Sequence, residues 1–135
     1  MYMKACVLYF SLTGNTKKFA ESISESLNIP VFDLATSKPS IVEDYDVLIL
    51  GTPVHGLSPA KPVSSFIEKL PKANDKKTII FSTFAIRKGK ANMKLENELS
   101  NMGYRTILSL SKRGFKLGKQ DFAESIEQIL TVLEQ

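Results

Sequence analysis

Lys4-Ala5-Cys6-Val7-Leu8-Tyr9-Phe10-Ser11-Leu12-Thr13-Gly14-Asn15-Thr16-Lys17-Lys18 passes from an apolar run through a short polar loop into the start of a helix. Cys6 to Phe10 is apolar at every position, which fits a strand covered on both faces in the middle of a parallel sheet. Ser11 to Thr16 then supplies hydroxyls, an amide and one glycine. Gly14 lets the backbone turn tightly and approach a ligand closely. The helix that follows offers unpaired N–H groups and the positive end of its dipole. Side chains of Ser11, Thr13, Asn15 and Thr16 can donate further hydrogen bonds. With no lysine inside the loop and no Gly-Lys-Ser/Thr triplet, the cradle suits a terminal phosphate monoester held without metal. The plainer alternative is a polar turn with an ordinary N-cap, since Ser, Thr and Asn are common caps.

Working outward, strands and helices alternate along the whole chain. Asn15 to Leu27 places Phe19, Ile23 and Leu27 on one helical stripe. Pro30 to Leu34 reads as a short strand, with Pro30 pointing to a sheet edge. A short helix near Ile41 precedes a buried strand over Asp46 to Gly51. Thr52 to Lys61, with Pro53, Gly56 and Pro59, reads as a loop. Pro62 to Leu70 is a helix burying Val63, Phe66, Ile67 and Leu70, with Pro62 suited to its first turn. Lys77 to Thr83 is the fourth strand, and Phe84 to Lys90 is a loop. A helix marked by Ala91, Leu95, Leu99 and Met102 stops near Gly103. Tyr104 to Leu110 is the fifth strand, Ser111 to Gln120 a basic loop, and Phe122, Ile126, Ile129, Leu130 and Leu133 face the last helix inward. Five βα units of this kind imply an α/β protein with a parallel sheet. Ligands of such sheets bind outside the carboxyl ends of the strands, near a topological switch. The loops starting at Ser11, Thr52 and Phe84 converge there.

At 135 residues the chain suits one domain, 1–135, that buries about two-thirds of its unfolded surface. Its 43% hydrophobic content fits a globular protein, no run reaches transmembrane length, and the start lacks a signal-peptide pattern. The single cysteine, Cys6, cannot pair within the chain, so a reducing, cytoplasmic setting is expected. Its place in the first strand marks it as a small buried hydrophobe. One His and one Cys give no metal-ligand spacing, and no metal site is expected.

These residues give the chain a family likeness. It resembles the flavodoxin family over essentially its whole length. Ser11-Leu12-Thr13-Gly14-Asn15-Thr16 after a strand is similar to that family's FMN phosphate loop. Asp44-Tyr45-Asp46 leading to Gly51 and then Thr52-Pro53-Val54-His55-Gly56 resembles its third strand and first isoalloxazine loop, and Ser82-Thr83-Phe84-Ala85 its second. No stretch interrupts the fifth strand, so the short-chain form is the nearer likeness, especially the small flavodoxin domains that some anaerobes fuse to iron–sulfur modules. No cysteine-rich module is present in the sequence. The resemblance implies a three-layer, doubly wound, five-stranded parallel sheet with strand order 2-1-3-4-5, and FMN as cofactor. It implies that Ser11, Leu12, Thr13, Gly14, Asn15 and Thr16 bind the phosphate. Thr52, Pro53, Val54, His55 and Gly56 would pack one side of the ring, and Thr83, Phe84 and Ala85 the other. The chain has no Trp, so Phe84 or His55 would take the place of the Tyr or Trp that often stacks on the ring.

The function so implied is one-electron transfer, the cofactor supplying the chemistry and the protein setting its potentials. A glycine turn at Gly56 can flip a peptide and offer a carbonyl to a ring N–H. His55, the only histidine, would favour a reduced anionic ring when protonated, or else is a bystander on an exposed loop. The alternative function is a small FMN-dependent reductase of a quinone or similar acceptor, although such enzymes are typically longer. A third possibility is a binding module that has kept the fold and lost the cofactor. A response regulator is excluded because Gly51 and Thr52, with no Asp, end the third strand.

Charge sets this chain apart from the commonly acidic flavodoxins. Its formal charge is +4, with a pI near 9.2. Residues 1–75 carry 7 basic and 8 acidic residues, and residues 76–135 carry 11 and 6. Arg87, Lys88 and Lys90 follow the second ring loop, and Lys112, Arg113, Lys116 and Lys119 follow the fifth strand. Beyond a merely solvated face, this excess suits an acidic redox partner protein steered onto the ligand side. No recognition motif points to nucleic acid, and nothing points to a membrane. A cation about 10 Å from the ring shifts the reduced state by on the order of 1 kcal/mol, or tens of millivolts. The expected couple is therefore less negative than in acidic flavodoxins.

Overall fold

The computed structural model describes residues 3–134. Its elements in chain order are β1 (Ala5–Tyr9), α1 (Asn15–Leu27), β2 (Val31–Asp33), β3 (Val47–His55), β4 (Ser58–Pro59), α2 (Lys61–Glu68), β5 (Lys76–Phe84), α3 (Ala91–Asn101), β6 (Tyr104–Arg113) and α4 (Ala123–Leu133). The sheet runs β2-β1-β3-β5-β6, with these five strands parallel and β4 pairing antiparallel to the end of β3. Counting only the parallel strands, this is the expected order 2-1-3-4-5. β2 lies at the edge, where Pro30 suits it.

The apolar runs follow from two-sided burial. Ala5, Val7, Tyr9, Val47, Ile49, Ile79 and Phe81 point to one face and pack on Phe19 and Ile23 of α1 and Ile126 and Ile129 of α4. Cys6, Leu8, Leu48, Leu50 and Ile80 point to the other and meet Val63, Phe66 and Ile67 of α2 and Leu95 and Leu99 of α3. Alternate residues of one strand thus enter different cores, and neither face can carry a polar stripe.

The short helix expected near Ile41 is a 3₁₀ helix, Pro39–Asp44, preceded by a 3₁₀ turn at Leu34–Thr36. Two segments depart from expectation. Thr52 to His55 is not loop: β3 continues through it and folds back at Gly56 and Leu57 into β4. β6 likewise runs on through Ser111, Lys112 and Arg113, before a 3₁₀ turn at Lys119–Phe122 leads into α4. As an edge strand, β6 can carry such polar residues without burying them.

The sheet brings the carboxyl ends of β1, β3 and β5 side by side. Connections leave β1 toward β2 on one side, while β3 lies on its other side, which makes the β1–β3 boundary the switch point. Gly51 sits there beneath the site. A Cβ on it would come within 2.1 Å of the Phe81 ring, so the position accepts only hydrogen.

Candidate functional site at the carboxyl ends of the strands

Gly14 precedes α1 at φ 98°, a conformation that suits glycine, and nothing crowds the place of its missing Cβ. No side chain caps the helix and no acidic residue occupies its first turn. The Gly14 N–H donates to Ser11 Oγ at 3.1 Å, and the first helical bond runs from Lys18 N–H to Gly14 O at 2.9 Å. The N–H groups of Asn15, Thr16 and Lys17 therefore open toward the loop without a helical acceptor. Exposed Lys17 and Lys18 in that turn are unfavourable beside the positive end of the dipole unless an anion joins them. The ordinary N-cap alternative requires a capping side chain, and α1 has none.

The polar side chains of this loop divide into two groups. Thr13 is exposed, and the Ser11 hydroxyl keeps its own hydrogen free to donate. Asn15 and Thr16 are buried and engaged within the protein. Asn15 Nδ2 donates to Gly114 O at 3.4 Å and Phe115 O at 3.0 Å, and Asn15 Oδ1 accepts from Leu117 N–H at 3.1 Å. The Thr16 and Thr83 hydroxyls lie 2.8 Å apart, so the first loop is bonded directly to the end of β5. The sequence reading assigned both side chains to the phosphate. Asn15 has spent its amide on the chain, and the Thr16–Thr83 pair keeps one hydroxyl hydrogen to give.

Thr52 is also turned inward. Its hydroxyl donates to Pro53 O at 2.8 Å and accepts from Ala60 N–H at 3.0 Å, closing the base of the β3–β4 hairpin. Gly56 and Leu57 form the tip, both at positive φ, as a two-residue turn between twisted strands requires. His55 is exposed beside it.

Between these parts lies a cleft of about 210 Å³. Leu12, Thr13 and Asn15 form its first wall, Pro53, Val54 and His55 its second, and Thr83, Phe84 and Ala85 its third. All three loops expected from the sequence meet in it. Gly114 and Phe115, from the basic stretch that follows β6, complete the lining. The signal for them was an aromatic residue after a glycine in an otherwise cationic stretch. The fit to a phosphate-bearing planar ligand is direct: uncapped N–H donors at one end, and an apolar slot between hairpin and β5 loop beyond them.

Other chemistry finds little support here. Burial pushes the Cys6 thiol up to about 12, with Lys76 opposing in part, so it is a packed side chain and no nucleophile. Among the described residues, no group of His, Cys, Asp and Glu is arranged to hold a metal, and no helix is long and apolar enough to cross a membrane.

Residues 6–111 match the flavodoxin domain. An uncharacterised protein of Methanocaldococcus jannaschii is 31% identical over 116 residues, which span 84% of this chain and 77% of that protein. Among solved structures, a flavodoxin from the domain Archaea aligns with a TM-score of 0.78 at 22% identity, over 98% of this chain and 97% of its own. A flavoprotein from Lactobacillus acidophilus NCFM, solved in complex with FMN, aligns with a TM-score of 0.66 at 20% identity, over 93% and 97%. With the domain matched from the first strand into the last, this chain belongs to the flavodoxin family.

Proposed function

We propose that this protein binds FMN in the cleft and transfers electrons one at a time between partner proteins. The observation that carries the reading is the uncapped start of α1 opening beside an apolar slot. The N–H groups of Asn15, Thr16 and Lys17, with the hydroxyls of Ser11 and Thr13, would hold the phosphate. Pro53, Val54 and His55 would flank the ring on one side and Phe84 and Ala85 on the other. Bound there, FMN supplies the redox chemistry. The walls of the cleft would orient it between them. Gly56, at the hairpin tip with nothing near the place of its missing Cβ, would offer its peptide carbonyl to the ring edge.

The partner is proposed to be acidic. Arg87, Lys88, Lys90 and Lys116 are exposed on the loops that bound or adjoin the cleft, and Arg113 is exposed at the end of β6. Arg113 Nε donates to Ala85 O at 3.3 Å, which keeps this cation against the third wall. Lys119 stands apart, since its Nζ meets Glu25 Oε2 at 2.9 Å far along α1. The visible spectrum of the purified protein, followed by a dithionite titration, tests the proposal. We expect a flavin spectrum, a one-electron stage that diminishes in Gly56→Ala, and a couple less negative than in acidic flavodoxins. A protein that stays colourless after FMN is added lacks the cofactor site. One that rapidly oxidises NAD(P)H unaided is a reductase.

A further inference from the structure

Phe115 is 77% exposed, more than any other large hydrophobic side chain among the described residues. Arg113 and Lys116, close to it in sequence, are exposed cations. Yet the backbone that carries it is firmly held. Gly114 N–H donates to Phe84 O at 2.9 Å, and the Asn15 amide grips the carbonyls of Gly114 and Phe115 and the N–H of Leu117. Leu117, two residues on, is buried in the core. A rigid backbone thus presents a free aromatic ring at a cleft that it lines together with Leu12, itself 66% exposed.

We infer that the loop after β6 is a fourth wall of the cofactor site, with Phe115 as a direct apolar contact of the flavin and Asn15 as the residue that positions it; the inference rests on the FMN reading above. The energetic case is simple. An exposed phenyl ring gains nothing for the folded apoprotein, but gains its transfer free energy when a planar ligand covers it. Holding its backbone in advance lowers the ordering cost of that contact. Asn15 is the first residue of α1 and also the clamp on the Phe115 loop. The phosphate donors and the apolar wall are therefore set in one frame by one side chain. This gives a chain without tryptophan a second aromatic contact besides Phe84, from a segment outside the hairpin and the β5 loop.

Apoprotein titrated with FMN and with riboflavin tests this, with Phe115→Ala, Phe115→Tyr and Asn15→Ala beside the wild type. We expect Phe115→Ala to weaken FMN and riboflavin by the same factor, roughly tenfold or more, because the lost contact is apolar and independent of the phosphate. Its apoprotein should melt as the wild type does, since the ring is exposed there. Phe115→Tyr should restore tight binding. Asn15→Ala should weaken FMN more than riboflavin, because it disturbs the helix start as well as the wall. It also lowers stability, so Phe115→Ala carries the decision. If Phe115→Ala binds both flavins as tightly as the wild type, the inference is wrong, and slowed delivery to an acceptor in that variant would make Phe115 a partner contact. If the wild type itself takes up no FMN, the cofactor reading fails first and this inference with it.

Discussion

At the phosphate-loop end of the cleft, Ser11 bonds Gly14, Asn15 clamps the loop after β6, and Thr16 meets Thr83. Beneath them Phe19 lies 4.7 Å from Phe81 and 4.4 Å from Phe122, centroid to centroid. At the hairpin end, two residues at positive φ make the turn, Leu57 at its tip is 45% exposed, and His55 beside it is exposed. The tip rests on a neighbouring loop: a Cβ on Gly89 would come within 2.5 Å of the Leu57 Cβ, and Lys94 Nζ bonds Ser58 Oγ at 2.6 Å. One end therefore has its donors fixed in place before a ligand arrives, which suits binding of a constant charge. The other stores backbone strain in a short turn, which suits a region that must answer to a changing charge. On the function proposed above, the first end would set affinity and the second would set tuning.

The largest effect should come from forcing the rigid end. Gly51→Ala places a methyl 2.1 Å from the Phe81 ring, which is fully buried and hemmed in by Phe19. Overpacking of this kind should cost about 3 kcal/mol, read as a lowered urea midpoint at unchanged slope. Gly14→Ala is the comparison, since it meets only an unfavourable φ and open space, at about 1 kcal/mol. Should Gly51→Ala cost no more than Gly14→Ala, the aromatic floor yields, and the rigid end is not rigid.

The same contrast explains what could be read from the residues. β1 and α1 were legible because Cys6 to Phe10 is an unbroken apolar run and the Phe19–Ile23–Leu27 stripe carries the helical period openly, and α1 has the expected bounds. The extension of β3 was hidden by Pro53 and Gly56, which read as loop punctuation. Pro53 pairs in register with Thr83 near the end of the strand, and Leu57 is an unusual residue for the second place of such a turn. The extension of β6 was hidden because an edge strand does not need apolar residues. Within the site, sequence identified polar groups but not their direction. Asn15 reads as a phosphate donor, yet its side-chain amide is engaged within the protein, and only the fold brings residue 15 to residues 114–117.

A smaller effect concerns the strand beneath the phosphate loop. Cys6 lies in β1 with its thiol pushed by burial from 9.0 to about 12. Between those values the unfolded chain releases a proton that the folded chain retains, so stability falls as pH rises from 9. The slope approaches about 1.4 kcal/mol per pH unit. Buried Tyr9 and Tyr104 are raised mainly by burial too and act in the same direction above their usual range. Comparing unfolding free energies at pH 8 and pH 10 in wild type and Cys6→Ala isolates the thiol, because the tyrosines are common to both. We expect the wild type to lose about 1 kcal/mol more than Cys6→Ala over that interval. Equal losses would mean that water reaches Cys6 and that the core at this end is looser than its packing suggests.

The smallest effect, and the one that bears most on the hairpin end, is Leu57→Asn. A leucine at φ 67° carries roughly 1–2 kcal/mol of steric cost, whereas asparagine visits this region readily. Against that stands the apolar contact Leu57 makes over Gly89, which is partial because the side chain is nearly half exposed. The balance should favour asparagine by about 0.5 kcal/mol in a urea titration, with FMN affinity unchanged, since Leu57 is outside the cleft lining. A stabilised variant identifies the tip as strained and held only loosely. A variant destabilised by about 1 kcal/mol would mean that packing on the Gly89 loop outweighs the strain, so that the hairpin is pinned as firmly as the phosphate loop. In that case tuning would have to reside in the side chains around the ring, His55 first among them, and not in the backbone of the turn.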